Sequence, residues 1–253
     1  MGILTGEEGD PVALENAVAQ GRVILVCEHA SRLLPASLGT LGLSAEALAS
    51  HIAWDPGALA VSRLMAEQLD ATLLFQRFSR LVYDCNRPPE SPAAMPEKSE
   101  VFDVPGNVGL DQAARDARTH ALYIPFRDTL RDLVEARIAA GRPPVIVTMH
   151  SFTPVYFGQP RDVEIGILHD ADTRLADAML AAAGTDVPYT IRRNEPYGPE
   201  DGVTHTLREH GLSKGLPNVM IEVRNDLIQD QAGQKVVAGY LTGLLSAALS
   251  AIQ

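Results

Sequence analysis

The chain is built from short apolar runs that end abruptly in polar residues. Residues 23–27, Val-Ile-Leu-Val-Cys, run into Glu28 and His29. Residues 144–149 run into His150 and Ser151, and residues 218–221 run into Glu222, Val223 and Arg224. Runs this short and this rich in branched side chains predict buried strands. Further strands are predicted over 71–75, within 80–87, over 163–168 and, at an edge, over 189–192. Between them the apolar spacing turns helical. Helices are predicted over 45–52 with Ser44 as cap, 58–69, 171–183 and 231–252. A long helical segment over 111–140 must kink or break at Pro125. Residues 10–21 read as an N-terminal helix or arm. Asp55-Pro56-Gly57 has the form of a helix start, which makes a cap one reading of Asp55. Residues 88–109 and 194–210 lack an apolar period, and the first is long enough to be a functional loop or lid.

Strands that alternate with helices predict an α/β fold. The expected form is a three-layer αβα sandwich whose mainly parallel, mixed sheet is covered on both faces. No linker divides the chain, so residues 1–253 read as one domain. In such folds ligands bind beyond the carboxyl ends of the strands. The acids and imidazoles that close the runs at 28–29, 150 and 222 therefore stand where chemistry is expected.

Composition narrows the picture. The chain has 253 residues, 46% of them hydrophobic, with a formal net charge of -11. An acidic chain is a poor partner for nucleic acid or an anionic membrane surface. A small anionic substrate remains open, because local arginines can outweigh the overall field. Two cysteines, Cys27 and Cys85, lie in or beside apolar runs, which reads as buried thiols in a reducing cytoplasm rather than a disulfide framework. The N-terminus lacks the pattern of a signal peptide, and the uncharged stretch 236–252 is short for a membrane span.

The common motifs are missing: a dinucleotide-binding glycine fingerprint, a phosphate-binding loop, a serine-hydrolase elbow, and His-Glu-x-x-His or Cys-x-x-Cys. What remains is dispersed. His29, Asp55 and His150 have the make-up of a catalytic zinc site, two imidazoles and a carboxylate with one position open. Glu222 is then a second carboxylate free to act as general base. Each residue has a plainer reading: structural strand-end histidines, a helix cap at Asp55, a Glu222–Arg224 ion pair. A thiol nucleophile at Cys27 beside His29 is a rival chemistry. Arg80, Asn86 and Arg87 follow one strand and Arg224 another. Arginines bind carboxylates bidentately, so the cluster fits a substrate carboxylate, unless it is spent on ion pairs with Asp84 and Glu222.

Several segments together resemble the N-formylglutamate amidohydrolase family. They are Cys27-Glu28-His29-Ala30-Ser31 with Pro35, and His51-Ile52-Ala53-Trp54-Asp55-Pro56-Gly57-Ala58. Next come Ser79-Arg80-Leu81-Val82-Tyr83-Asp84-Cys85-Asn86-Arg87 and Met149-His150-Ser151-Phe152. Ile221-Glu222-Val223-Arg224-Asn225-Asp226 completes the set. The resemblance implies a fold similar to zinc carboxypeptidases and a Zn2+ or other divalent metal. It also implies hydrolysis of N-formyl-L-glutamate to formate and L-glutamate, a late step of histidine breakdown. It makes His29 and His150 metal ligands, Glu222 the base, and Asn86-Arg87 the pair that holds a substrate carboxylate. The carboxypeptidase pattern puts an acidic ligand three residues after the first histidine, where Arg32 stands here. Asp55 is the expected replacement and Glu28 the alternative. Asn194-Glu195-Pro196-Tyr197-Gly198 through His205 resembles a family loop over the site, with Tyr197 and His205 as substrate contacts.

Overall fold

Seven strands among the described residues form one sheet. The computed structural model describes residues 2–184 and 188–252. The strands are β1 (Val12–Glu15), β2 (Val23–Cys27), β3 (Thr72–Gln76), β4 (Val145–Phe152), β5 (Ile165–Leu168), β6 (Ile191–Arg193) and β7 (Asn218–Arg224). Their spatial order is β1-β3-β2-β4-β7-β5-β6. Pairing is parallel from β3 through β2 and β4 to β7, and again between β5 and β6. It is antiparallel between β1 and β3 and between β7 and β5. The sheet is thus mixed and mostly parallel, as the alternation of runs and helices predicts.

Strand alternation sorts the core into two. Leu25, Cys27, Val147, Met149, Val219 and Ile221 face one side, with α2 (Ala58–Gln68), α5 (Arg174–Ala183) and α6 (Gln231–Ala251). Ile24, Val26 and Ile146 face the other, with α4 (Ile124–Ala139) and the irregular segments around Ile52 and Leu81. Successive side chains on a strand point to opposite faces. Even-numbered positions of β4 and β7 therefore leave the helical side, and that parity places His150 and Glu222 on the same face.

Three expectations change. Residues 12–15 pair with β3 as an edge strand instead of forming a helix, because Leu73–Gln76 would otherwise present an open ladder. Leu81, Val82 and Tyr83 are buried but form turns, since no neighbouring strand is in reach of them. The break expected at Pro125 lies slightly earlier, in a wide turn over Thr119–Tyr123 that joins Gln112–Arg118 to α4 and leaves the proline in the first turn. Among the described residues no helix is long and apolar enough to cross a membrane.

Candidate metal centre and active-site cavity

Strand β2 ends at Cys27, and the turn at Glu28–His29 carries the imidazole over the end of the sheet. Asp55 docks there by donating its backbone N–H to His29 O at 2.9 Å. His150 comes in from the last third of β4. The three side chains converge. His29 Nδ1 lies 3.3 Å from Asp55 Oδ2, His150 Nδ1 lies 2.8 Å from the same oxygen, and the two Nδ1 atoms are 3.2 Å apart. All three residues are buried. A tetrahedral ion with bonds near 2.0–2.1 Å sets its ligand atoms about 3.3 Å from one another. The donor set therefore has the size, chemistry and inward aim of a three-ligand metal site.

The outer ring nitrogens have partners of their own. His29 Nε2 is 2.7 Å from Asp84 Oδ1, and His150 Nε2 is 3.2 Å from Glu28 Oε2. The second pair is close enough for charge attraction but lacks hydrogen-bond alignment. A carboxylate at the outer nitrogen holds the proton there and leaves the inner nitrogen bare. Glu28, the alternative ligand, thus stands behind His150, while Asp55 stands between the two imidazoles. Asp55 does not cap α2. Gly57 occupies that position with φ 82°, and a side chain there would strike Ile228.

Charge at the site is unbalanced. Glu28, Asp55, Asp84 and Glu222 bury four carboxylates, against the single guanidinium of Arg80. Burial works against charge on His150, yet Glu28 and Asp55 raise it well above the ordinary imidazole range. Glu222 lies in register with His150 on β7, and its Oε2 has no hydrogen-bond partner. Burial pushes its carboxyl up to about 7, with Asp55 adding to the shift and both histidines and Arg80 opposing it.

His29, Asp55, His150 and Glu222 form the floor of a cavity of about 500 Å³, within the usual range for small-molecule sites. The positions singled out in the sequence are distributed around it unevenly. Arg80 is on the wall, but Asp84 and Asp55 engage its guanidinium at 2.7 and 3.5 Å. Asn86 is on the wall too, with its amide spent on the 194–210 loop: it donates to Val203 O and accepts from Thr206 N. Arg87 faces the cavity and gives Nη1 to Asn86 O and Gly202 O. Tyr197 lines the wall, and burial pushes its phenol up to about 12. His205 is placed elsewhere, in an adjoining hollow, 2.8 Å from the Tyr123 hydroxyl. Arg224 also lies off the wall, tied to Asp226 at 2.8 Å and Glu164 at 3.3 Å.

Cys27 points away from all of this. It alternates with Glu28, faces the helical core and is fully buried, which raises its thiol well above the usual range. A buried protonated thiol on the wrong face of the sheet is no nucleophile for this cavity. Further wall residues were not singled out in the sequence, among them Ser99 and Glu100 from the long loop, Tyr156 from a small hairpin after β4, and Arg161 just after it. The loop is fixed in place by Asn107, which donates to Leu81 O and Pro96 O and accepts from Arg118.

The family model for N-formylglutamate amidohydrolases matches residues 21–229, a stretch holding every group on the cavity floor. The chain belongs to this family. A solved gene product of Agrobacterium tumefaciens is similar over 99% of both chains, with 63% identity and a TM-score of 0.97. An N-formylglutamate amidohydrolase from Ralstonia eutropha shares the fold at 19% identity and a TM-score of 0.63, over 95% of this chain and 97% of its own. No curated protein matches the chain. Within this family match, His29, Asp55 and His150 could hold a metal ion, and Glu222 stands in register with His150.

Proposed function

We propose that the protein is a divalent-metal-dependent amidohydrolase that removes the formyl group from an N-formyl amino acid bearing a carboxylate, with N-formyl-L-glutamate as the first candidate. One observation carries this reading. The Nδ1 atoms of His29 and His150 and Oδ2 of Asp55 meet at ligand spacing, with the unpartnered Glu222 carboxylate in register beside them.

His29, Asp55 and His150 would hold the ion, with Asp84 and Glu28 fixing the imidazoles so that Nδ1 faces inward. When bound, zinc or a similar cation supplies a Lewis acid for the amide carbonyl and makes water more acidic. Glu222 Oε2 takes a proton from the attacking water and returns it to the amide nitrogen as the C–N bond breaks, releasing formate and the free amine. A carboxyl raised by burial toward neutrality suits both halves of that transfer. Arg87 holds the substrate carboxylate. Arg80 braces Asp55 and Asp84, and Asn86 braces the loop that brings Tyr197 over the cavity.

The test is metal analysis joined to a turnover screen over N-formyl and N-acetyl amino acids. The expected result is about one divalent ion per chain, activity lost on chelation and restored by metal, and the best turnover on formylated substrates with a free carboxylate. Full activity in chelated, metal-free protein would overturn the reading. So would tight binding of these compounds with no turnover.

A further inference from the structure

Three arginines reach the cavity, and they are not equivalent. Arg80 is neutralised by Asp84 and Asp55. Arg87, in the segment after β3, is anchored to the backbone oxygens of Asn86 and Gly202. Arg161 belongs to a different wall. It follows the hairpin of Val155–Tyr156 and Gln159–Pro160, and its backbone N–H donates to Pro154 O at 2.8 Å. Its guanidinium carbon stands 4.3 Å from the Tyr156 ring centre, 4.9 Å from Tyr197 and 5.6 Å from Phe152. Stacking of this kind orients a guanidinium without using its N–H groups.

Those donors are largely free. Within hydrogen-bond geometry the side chain donates once among the described residues, from Nη1 to Thr153 O at 3.4 Å. A guanidinium carries five N–H bonds. Among the described residues no carboxylate lies within ion-pair distance of it: Glu164, three residues on, pairs with Arg224, and the adjacent Asp162 is exposed. Arg224 also donates Nη1 to Arg161 O at 3.3 Å, so the residue that draws off the competing acid also fixes Arg161's backbone. The result is a pre-oriented fork beside the Tyr197 phenol, with no carboxylate partner among the described residues, facing the same cavity as His29, Asp55 and His150.

We propose that Arg161 is a specificity-determining residue that binds a second carboxylate of the substrate, distinct from the one held by Arg87. The substrate class is then an N-acyl amino acid with an acidic side chain, a dicarboxylate. Arg224 acts through Arg161 as a positioning residue. The inference rests on the amidohydrolase reading of the cavity.

The experiment compares N-formyl-L-glutamate with N-formyl-L-glutamine, which have the same shape and differ in one charge. Affinity is measured by calorimetry on metal-loaded Glu222→Gln protein, and kcat/KM on the metal-loaded enzyme, each with Arg161, Arg161→Lys and Arg161→Gln. The expected result is a preference for the glutamate derivative that falls roughly ten- to hundredfold in Arg161→Gln and less in Arg161→Lys. Values for the glutamine derivative should move by less than about threefold, within the scatter of one weak uncharged contact. Equal losses on both compounds, an unchanged preference, or no preference with Arg161 in place would each overturn the assignment. So would failure of both variants to fold, which would make Arg161 a structural clamp. If the enzyme turns over neither compound, the amidohydrolase reading fails, while the calorimetric preference still decides the role of Arg161.

Discussion

Glu222 contributes its function through what surrounds it more than through its own chemistry. It is buried, in register with a metal donor, and has a free oxygen. Glu222→Gln keeps the volume and removes the proton acceptor. It should retain the metal and lower kcat by roughly two to four orders of magnitude, checked by metal analysis and steady-state kinetics on one preparation. Asp84→Asn keeps the contact to His29 Nε2 but loses its charge, and should weaken metal affinity roughly ten- to hundredfold, read by titration against a competing chelator. His210 offers a test of pH dependence away from the metal donors. Burial, with His205 adding, lowers it from 6.5 to about 4. The unfolded chain therefore takes up this proton at a higher pH than the folded one. Its contribution to stability is intact above 6.5 and is lost as pH falls toward about 4. Between pH 7 and 5 the loss should be about 2 kcal/mol, and His210→Gln should remove it in urea unfolding at the two pH values. At this scale the sequence was partly legible. His29, His150 and Glu222 show as polar ends of apolar runs. Asp55 joins them as the carboxylate a two-imidazole zinc site needs, although Asp-Pro-Gly also spells a helix start. Arg161 gives no local sign, since its surroundings come from Phe152, Tyr156 and Tyr197 on separate segments.

At the scale of elements, the period of two along each strand does most of the sorting. It sends Cys27 to the helices and Glu28 to the opposite face, behind His150, and it explains why thiol chemistry fails here. The strands β2, β4 and β7 were visible in advance as short, branched apolar runs with polar ends, without alternation, because both their faces are buried. Residues 12–15 were not visible, because the four residues Val-Ala-Leu-Glu are too few and too uniformly apolar to show a period of two. Residues 81–83 misled for the opposite reason: they are apolar and buried without a ladder. Gly166 shows how closely elements meet. It lies opposite Glu222 in the β5–β7 ladder, and a side chain there would run into the Glu195 carbonyl oxygen. Gly166→Ala should push the 194–197 segment, and Tyr197 with it, off the cavity. The expected outcome is about 1–3 kcal/mol of lost stability and a fall in kcat/KM of roughly tenfold or more, measured by denaturation and kinetics.

For the whole molecule the question is how a fold tolerates four buried carboxylates on a chain whose net charge is already -11. Carboxylates packed this closely oppose the folded state unless a cation answers them. Binding to the folded form alone stabilises it, by about 4 kcal/mol at a thousandfold excess over Kd. Stripping the metal should therefore lower Tm by roughly ten degrees in a chain of this size, reversed by adding it back, as read by calorimetry. The three-layer plan was legible at this scale because it follows from the alternation of runs and helices. That residues 29, 55 and 150 meet is expected from their residue types, while the sheet order that brings them together was not legible.

That order has a consequence in time. The donors at residues 29, 55 and 150 are gathered around β4, and β4 is bordered on one side by β7, which begins at Asn218. A growing polypeptide that has not yet emerged as far as β7 leaves His150 on an unflanked edge and has no Glu222. The ion should therefore be acquired only when synthesis is nearly finished, and ribosome-bound chains stalled before residue 218 should come off the column empty of metal.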